Sequence, residues 1–261
     1  MRITRVEHAV FAATMVALGV AGLVQGDFAA IWQPVPKGLP AREGLAYLCA
    51  IVALATGAGL LWPRIAAPAA RLLLGWLLLW LLLFKGRVIW LAPMVAVSWE
   101  SCGETAVPVA AAWVLYARFA DGWDRRRLGF ATGEAGLRIA RAVYGLALIA
   151  FGVAHLAYVA ETAALVPAWL PSPIVWVYLT GGTYIAAGVA VAAGVYARLA
   201  ASLSALQIGL FTLLVWAPPL AAGSRDASVW SEAVLSWTLT ASAWVVAGSY
   251  VGMPWLAIGK R

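Results

Sequence analysis

Charge is the scarcest property of this chain. Only 11% of its residues are charged and 64% are apolar, whereas a soluble domain carries about 25% charged residues. That scarcity excludes an ordinary soluble fold. Cysteine is scarce too: Cys49 and Cys102 form no CxxC pair and have no His or Cys neighbour in sequence, so neither a zinc site nor a thioredoxin-type redox motif follows. No Gly-rich phosphate loop, no Ser-His-Asp arrangement and no paired intramembrane carboxylates can be picked out. The net charge of +7 invites a nucleic-acid partner, but the basic residues sit in particular connectors, as the positive-inside rule places them. Nucleic acid is therefore excluded as a partner.

What the chain has instead is apolar runs of roughly 18–22 residues, the bilayer-spanning signal. They are continuous rather than alternating, which argues against a β-barrel. The expected fold class is an all-α integral membrane protein with eight transmembrane helices, arranged as two parallel-repeat four-helix bundles. The expected helices are Ala9–Val24, Leu45–Trp62, Leu72–Phe84 (extended by Ala66–Ala70), Glu104–Phe119, Ala142–Ala160, Ile174–Ala193, Leu199–Ala217 and Glu232–Val251. The first resembles a signal peptide, with Arg2 and Arg5 ahead of an apolar core. It reads as a retained helix because its counterpart lies in mid-chain. Lys85–Ser101 reads as a connector, and Asp121–Arg141 as a hydrophilic linker.

Internal matches support two halves. ALGVAGL at Ala17–Leu23 pairs with AFGVAHL at Ala150–Leu156, and VPKGLP at Val35–Pro40 with VPAWLP at Val166–Pro171. Tyr47-Leu48 pairs with Tyr178-Leu179, Gly57 with Gly188, Trp99 with Trp230, and AAWV at Ala111–Val114 with SAWV at Ser242–Val245. The division expected is a first repeat over 1–120, a basic linker over 121–140 and a second repeat over 141–261. An even number of helices per repeat keeps both copies in the same orientation. Lysine and arginine set the sidedness. Arg2, Arg5, Arg64, Arg71, Arg118, Arg125, Arg126, Arg127, Arg138, Arg141, Arg198, Lys260 and Arg261 share one side, and Lys37, Arg42, Lys85, Arg87 and Arg225 the other. Both termini are then cytoplasmic, in a bacterial-type inner membrane.

His155 is the most informative residue, because ionisable groups inside a membrane are costly. Tyr158 and Thr162 follow at helical spacing. Thr180, Thr183 and Tyr184 enter on the next helix at a similar depth, about 9–15 Å by the helical rise. His155, Tyr158, Thr162, Thr180 and Tyr184 are therefore the candidate ligand-binding residues, for the head group of a lipophilic molecule. The same pattern also fits an interhelical hydrogen-bond cluster that only holds helices together. Gly22 and Ala53 stand where His155 and Tyr184 would be in the first half, which places the site in the second. Glu161 reads as solvated and Glu7 and His8 as interfacial. Cys49 and Cys102 lie towards the same side and form a candidate disulfide pair. No catalytic residue and no metal ligand is assigned.

FGVAHL, VPAWLP, WVYLTG and Gly188, all within Phe151–Gly188, resemble the DoxX-like family of four-helix membrane proteins. The resemblance covers Arg141 to about Gly223 well and the first half weakly. His155 fits the family's first-helix histidine. The chain departs from the family at Tyr184, where a glutamate often stands, so a His–Glu pair is not implied. The resemblance implies association with quinone-linked thiosulfate oxidation, thiol-stress complexes or other membrane assemblies. It makes quinone the expected cofactor, bound non-covalently, and the bilayer, a quinone or other membrane subunits the expected partners. Three readings follow. The first is an accessory component binding a quinone, lipid or protein. The second is a quinone-linked oxidoreductase subunit with His155 as proton relay. Transport comes last, because no broken helix and no buried charge pair is visible in the sequence.

Overall fold

The computed structural model describes residues 5–258. The expectations placed on Arg2, Lys260 and Arg261 lie outside them. Among the described residues every regular element is helical. Eight long helices follow one another: α1 Val6–Gln25, α2 Arg42–Leu61, α3 Ala66–Leu91, α4 Ala96–Phe119, α5 Gly133–Ala157, α6 Pro173–Ala193, α7 Ala197–Ala221 and α8 Ala227–Gly248. Six of them (α1, α2, α3, α5, α6 and α7) are long and apolar enough to cross a membrane. Their outward faces carry bare apolar side chains, among them Leu82, Leu83, Leu203, Leu206 and Leu213, a coat that fits hydrocarbon and not water.

The other two, α4 and α8, have 24 and 22 residues and fall short on composition. They are the interior helices. α4 packs against α3, α5 and α8, and α8 against α1, α4 and α7. A helix surrounded by other helices does not need an apolar outer face, and its polar groups can bond across the bundle. α4 accordingly carries Ser98, Glu100, Ser101, Glu104 and Thr105, and α8 carries Glu232, Ser236, Thr238, Thr240 and Ser242.

Two stretches expected as connectors are helical. Lys85–Ser101 reads as a connector whose apolar piece, VIWLAPMVAV, is either interfacial or part of a longer helix, and the second alternative holds. In the structure α3 continues to Leu91, α4 begins at Ala96, and only Ala92–Val95 separates them. Lys85 is 1% exposed, and its Nζ donates to Ser101 Oγ at 2.7 Å and lies 3.7 Å from Glu104 Oε2. The charge is matched inside the bundle, so the helix has no need to end there. Likewise Asp121–Arg141 is not a loose hydrophilic linker. It forms the short helix Gly122–Arg127, a single 3-10 turn and the first turns of α5. Asp124 is fully buried and accepts two bonds from Arg71, at 2.7 and 2.9 Å, and one from the Tyr116 hydroxyl at 3.0 Å. Asp121 and Asp124 form a reciprocal capping box, which satisfies the first free N–H groups of that helix.

Three of the four pairs of corresponding helices recur at a constant spacing, while α1 and α5 begin at 6 and 133. α2 and α6 begin at 42 and 173, α3 and α7 at 66 and 197, and α4 and α8 at 96 and 227, each pair 131 apart. Leu81–Lys85 in α3 and Thr212–Trp216 in α7 are both π-helical, again 131 apart. Ala41 and Ser172 both take a left-handed conformation, φ 52° and 56°, just before α2 and α6. The Trp99 indole donates to Pro93 O and the Trp230 indole to Ser224 O.

Each half packs first helix on second, second on third and third on fourth. The fourth helices cross over: α4 packs along α5, and α8 packs against α1 rather than closing on its own half. Close approach depends on glycine at two matched points. A Cβ at Gly57 would lie 2.7 Å from Ala12 O, and one at Gly188 would lie 2.5 Å from Gly145 O.

One end of the bundle is arginine-rich. The C-terminal carbonyls of α8 receive Arg5 and Arg118 at Gly248 O, at 3.1 and 2.7 Å, and Arg141 at Ser249 O. Cations are favourable at a helix C-terminus. Glu7 and His8, expected as interfacial, are buried at this end, with Glu7 4.0 Å from Arg118 and the His8 ring 5.0 Å from that of Phe119.

Candidate functional site

At the opposite end two cavities meet. The larger, about 770 Å³, is a groove between α6 and α7, roofed by the connector Leu165–Leu170. Its walls are apolar: Leu179, Ala187, Leu203, Leu206 and Leu210 are typical. The smaller, about 170 Å³, is a chamber enclosed by α4, α5, α6, α7 and α8. His155, Thr162, Leu165, Tyr184 and Phe211 line both, so they form the boundary between groove and chamber.

The structure brings together four of the five candidate binding residues. α5 ends at Ala157, two residues past His155. His155 Nδ1 is 2.8 Å from Phe151 O. A carbonyl only accepts, so Nδ1 carries the proton and the neutral ring leaves Nε2 as an acceptor. The ring stands edge-on to Tyr184, centroids 5.4 Å apart. Tyr184 is 6% exposed, and its hydroxyl lies on the side of the Gln207 side chain. Thr162 lines both cavities, but by a different route from the one its spacing implies. The chain breaks at Tyr158 (φ −121°, ψ 56°) and restarts as the short helix Val159–Ala163. Tyr158 is thereby turned out of the site and lines neither cavity. Its spacing from His155 places it on the same face only if the helix continues, and it does not. Thr180 lines the groove, its hydroxyl bonded back to Trp176 O at 2.8 Å.

The cysteines do not pair. Both thiols are free, Cys49 buried on α2 and Cys102 half-buried on α4. Cys49 is closed in by core side chains. Glu161 is exposed on the short helix and lines neither cavity.

Four polar residues of the site are not among the expected ones. Gln207 on α7 accepts from Thr183 at 2.7 Å and donates to Thr180 O at 3.0 Å. It ties α6 to α7 along the groove floor. Glu100 and Glu104 on α4 and Glu232 on α8 line the chamber. The glutamates read as connector or helix-start residues, at the edges of their apolar runs. The available signal was their spacing: Glu100 and Glu104 are one helical turn apart, on one face. Glu100 and Glu232 have no ion-pair or hydrogen-bond partner among the described residues, whereas Glu104 lies beside Lys85.

One ground for placing transport last is corrected by this geometry: Lys85, itself buried, pairs with Glu104 inside the bundle. α3 and α7 each contain a π-helical segment, a feature frequent at functional sites, but both run on unbroken. Compared with protein-family models, with curated proteins and with solved structures, the chain matches none.

Proposed function

We propose that this chain is a membrane-embedded binding component that holds a lipophilic molecule, its tail in the groove between α6 and α7 and its head group at His155 and Tyr184. The observation that carries this reading is the junction of the two cavities. An apolar channel ends on the buried Tyr184 and on an imidazole with a free acceptor nitrogen. A quinone and a lipid both have the required form.

In this reading both halves are copies of one DoxX-like four-helix unit, 1–120 and 141–261, joined through 121–140. The constant 131-residue spacing of three pairs of helix starts, of the π segments and of the tryptophan bonds supports it. All eight helices cross the bilayer. At 1.5 Å per residue the 24 and 22 residues of α4 and α8 suffice for a hydrocarbon core of about 30 Å. The arginine-rich end faces the cytoplasm, both termini with it, and the cavities open towards the outer leaflet of a bacterial-type inner membrane.

A second reading makes the ligand a quinone that changes redox state within a thiosulfate- or thiol-oxidising assembly. It is favoured by the carboxylates beside His155, which supply proton acceptors next to the head group. The lipophile-binding reading is tested by labelling the purified chain with a photoreactive alkyl diazirine and mapping adducts by mass spectrometry. Adducts concentrated at groove residues such as Ala187 and Leu206, and reduced by Ala186→Trp, are expected. Labels spread evenly over all lipid-facing helices would contradict it.

A further inference from the structure

We infer that the head group taken by this site is an organic cation: the ligand is an amphiphile with an ammonium head and an apolar tail. This rests on the lipophile-binding reading and specifies its chemistry. The chamber that receives the head is acidic. Glu100, Glu104 and Glu232 line it, the first two one helical turn apart on α4 and the third on α8. Lys85 pairs with Glu104 and Ser101 from the side and is not part of the chamber wall. Glu100 and Glu232 have no such counter-charge. At the other end of the bundle arginines are engaged on the carbonyls of α8 and on Asp124. On the chamber's side Arg42 pairs with Asp27, and among the described residues neither Arg87 nor Arg225 forms an ion pair with Glu100 or Glu232.

The wall carries aromatic rings among aliphatic side chains such as Ile208 and Leu235. Phe151, Tyr184, Phe211 and Trp216 all line the chamber. Aromatic faces attract an ammonium through the ring quadrupole, and more strongly when water is excluded. Carboxylates among aromatic rings suit a bulky, weakly hydrated cation better than a metal ion. Among the described residues no three Asp, Glu, His or Cys side chains converge as metal ligands do. The chamber measures about 170 Å³. At about 30 Å³ per water molecule, such a space takes a head group of roughly five or six heavy atoms. The apolar groove joins it directly and accepts the tail. An anionic head would meet three carboxylates, and a neutral head would leave Glu100 and Glu232 without a counter-charge.

The test uses the full chain in maltoside micelles, with protein-free micelles subtracted, and three probes with the same twelve-carbon tail: dodecyltrimethylammonium, dodecanol and dodecanoate. The ammonium probe should bind about tenfold or more tightly than dodecanol, as expected for a desolvated charge pair with cation–π support, and dodecanoate should bind weakest. The double variant Glu100→Gln/Glu232→Gln leaves the Lys85–Glu104 pair intact. It should lose the ammonium preference, the ratio of ammonium to dodecanol affinity falling to about one. Should that variant fail to fold, Glu232→Gln alone, at an exposed position, gives the same readout. Equal binding of the ammonium and alcohol probes, or a preference that survives both substitutions, would overturn the cation assignment and leave the lipophile reading standing. Binding of none of the three by folded protein would overturn both.

Discussion

The two halves of the molecule treat the same space in opposite ways. In the second half the groove between α6 and α7 is open, and the connector residue Trp169 is 70% exposed. In the first half aromatic side chains of the connector and of α3 pack on one another. Trp32, from the connector, is 1% exposed, and its carbonyl accepts the Trp80 indole at 3.1 Å. Trp80 stacks on Phe84 at 4.3 Å and meets Phe28 at 5.6 Å. The residues 131 positions further on explain the difference. Gln207 stands opposite Trp76, Ser204 opposite Leu73, and Phe211 opposite Trp80. Helix placement is shared, but a few large side chains decide whether the space is core or cavity. A first half that is packed shut serves as a rigid support, and its fourth helix delivers Glu100 and Glu104 to the other half's chamber.

That contrast can be broken from either side. Trp32→Ala should have the largest effect. It removes the central aromatic side chain of the first half and should cost about 3–5 kcal/mol, read as a lowered thermal midpoint in detergent. An unchanged midpoint would mean the aromatic cluster does not hold that half together. Asp124→Asn should cost about 3 kcal/mol, because it leaves Arg71 facing a buried neutral group. Burial alone would raise the Asp124 carboxyl, but Arg71, the Asp121 backbone N–H and Tyr116 together hold it below the usual carboxylate range. Its contribution is therefore complete above about pH 4, the unfolded carboxylate value, and is lost only as pH falls through the lower folded value. Melting curves of wild type and Asp124→Asn should converge below that pH and stay parallel above it.

Smaller effects fall on the second half. Gln207→Trp copies the first half's residue into the groove. It should weaken binding of a lipophilic probe by about tenfold, roughly 1.4 kcal/mol, and lower stability by about 1 kcal/mol for each of the two lost α6–α7 hydrogen bonds. Full binding would show that the groove is not the tail site. His155→Ala removes one head-group acceptor of ordinary strength, worth about 1 kcal/mol, and should weaken the same probe by several-fold. In the quinone-linked reading the substitution abolishes turnover instead, so affinity and turnover measured together separate the two.

Much of this was legible in the sequence for a physical reason: a lipid-facing helix must be apolar along its length, so α1, α2, α5, α6 and the apolar parts of α3 and α7 announce themselves. His155, Thr162, Thr180 and Tyr184 were found because polar groups stand out in such runs. What the sequence hid is polarity matched across the bundle. Lys85 reads as solvent-facing until Ser101 and Glu104 are known to lie beside it. Asp124 reads as linker until Arg71 and Tyr116 reach it. Glu100 and Glu232 are 132 residues apart in the chain and share a chamber only because α4 and α8 cross into the middle of the bundle. Tyr158 was misplaced because nothing in the apolar pattern marks the break in the helix at that residue.

The most direct measurement is an electron cryomicroscopy map of the chain in nanodiscs prepared from native membrane. The account predicts an elongated density lying between α6 and α7, with its head within hydrogen-bond reach of the Tyr184 hydroxyl and nothing equivalent between α2 and α3. A groove closed by approach of α6 to α7, or lipid-like density distributed equally over both halves, would contradict it.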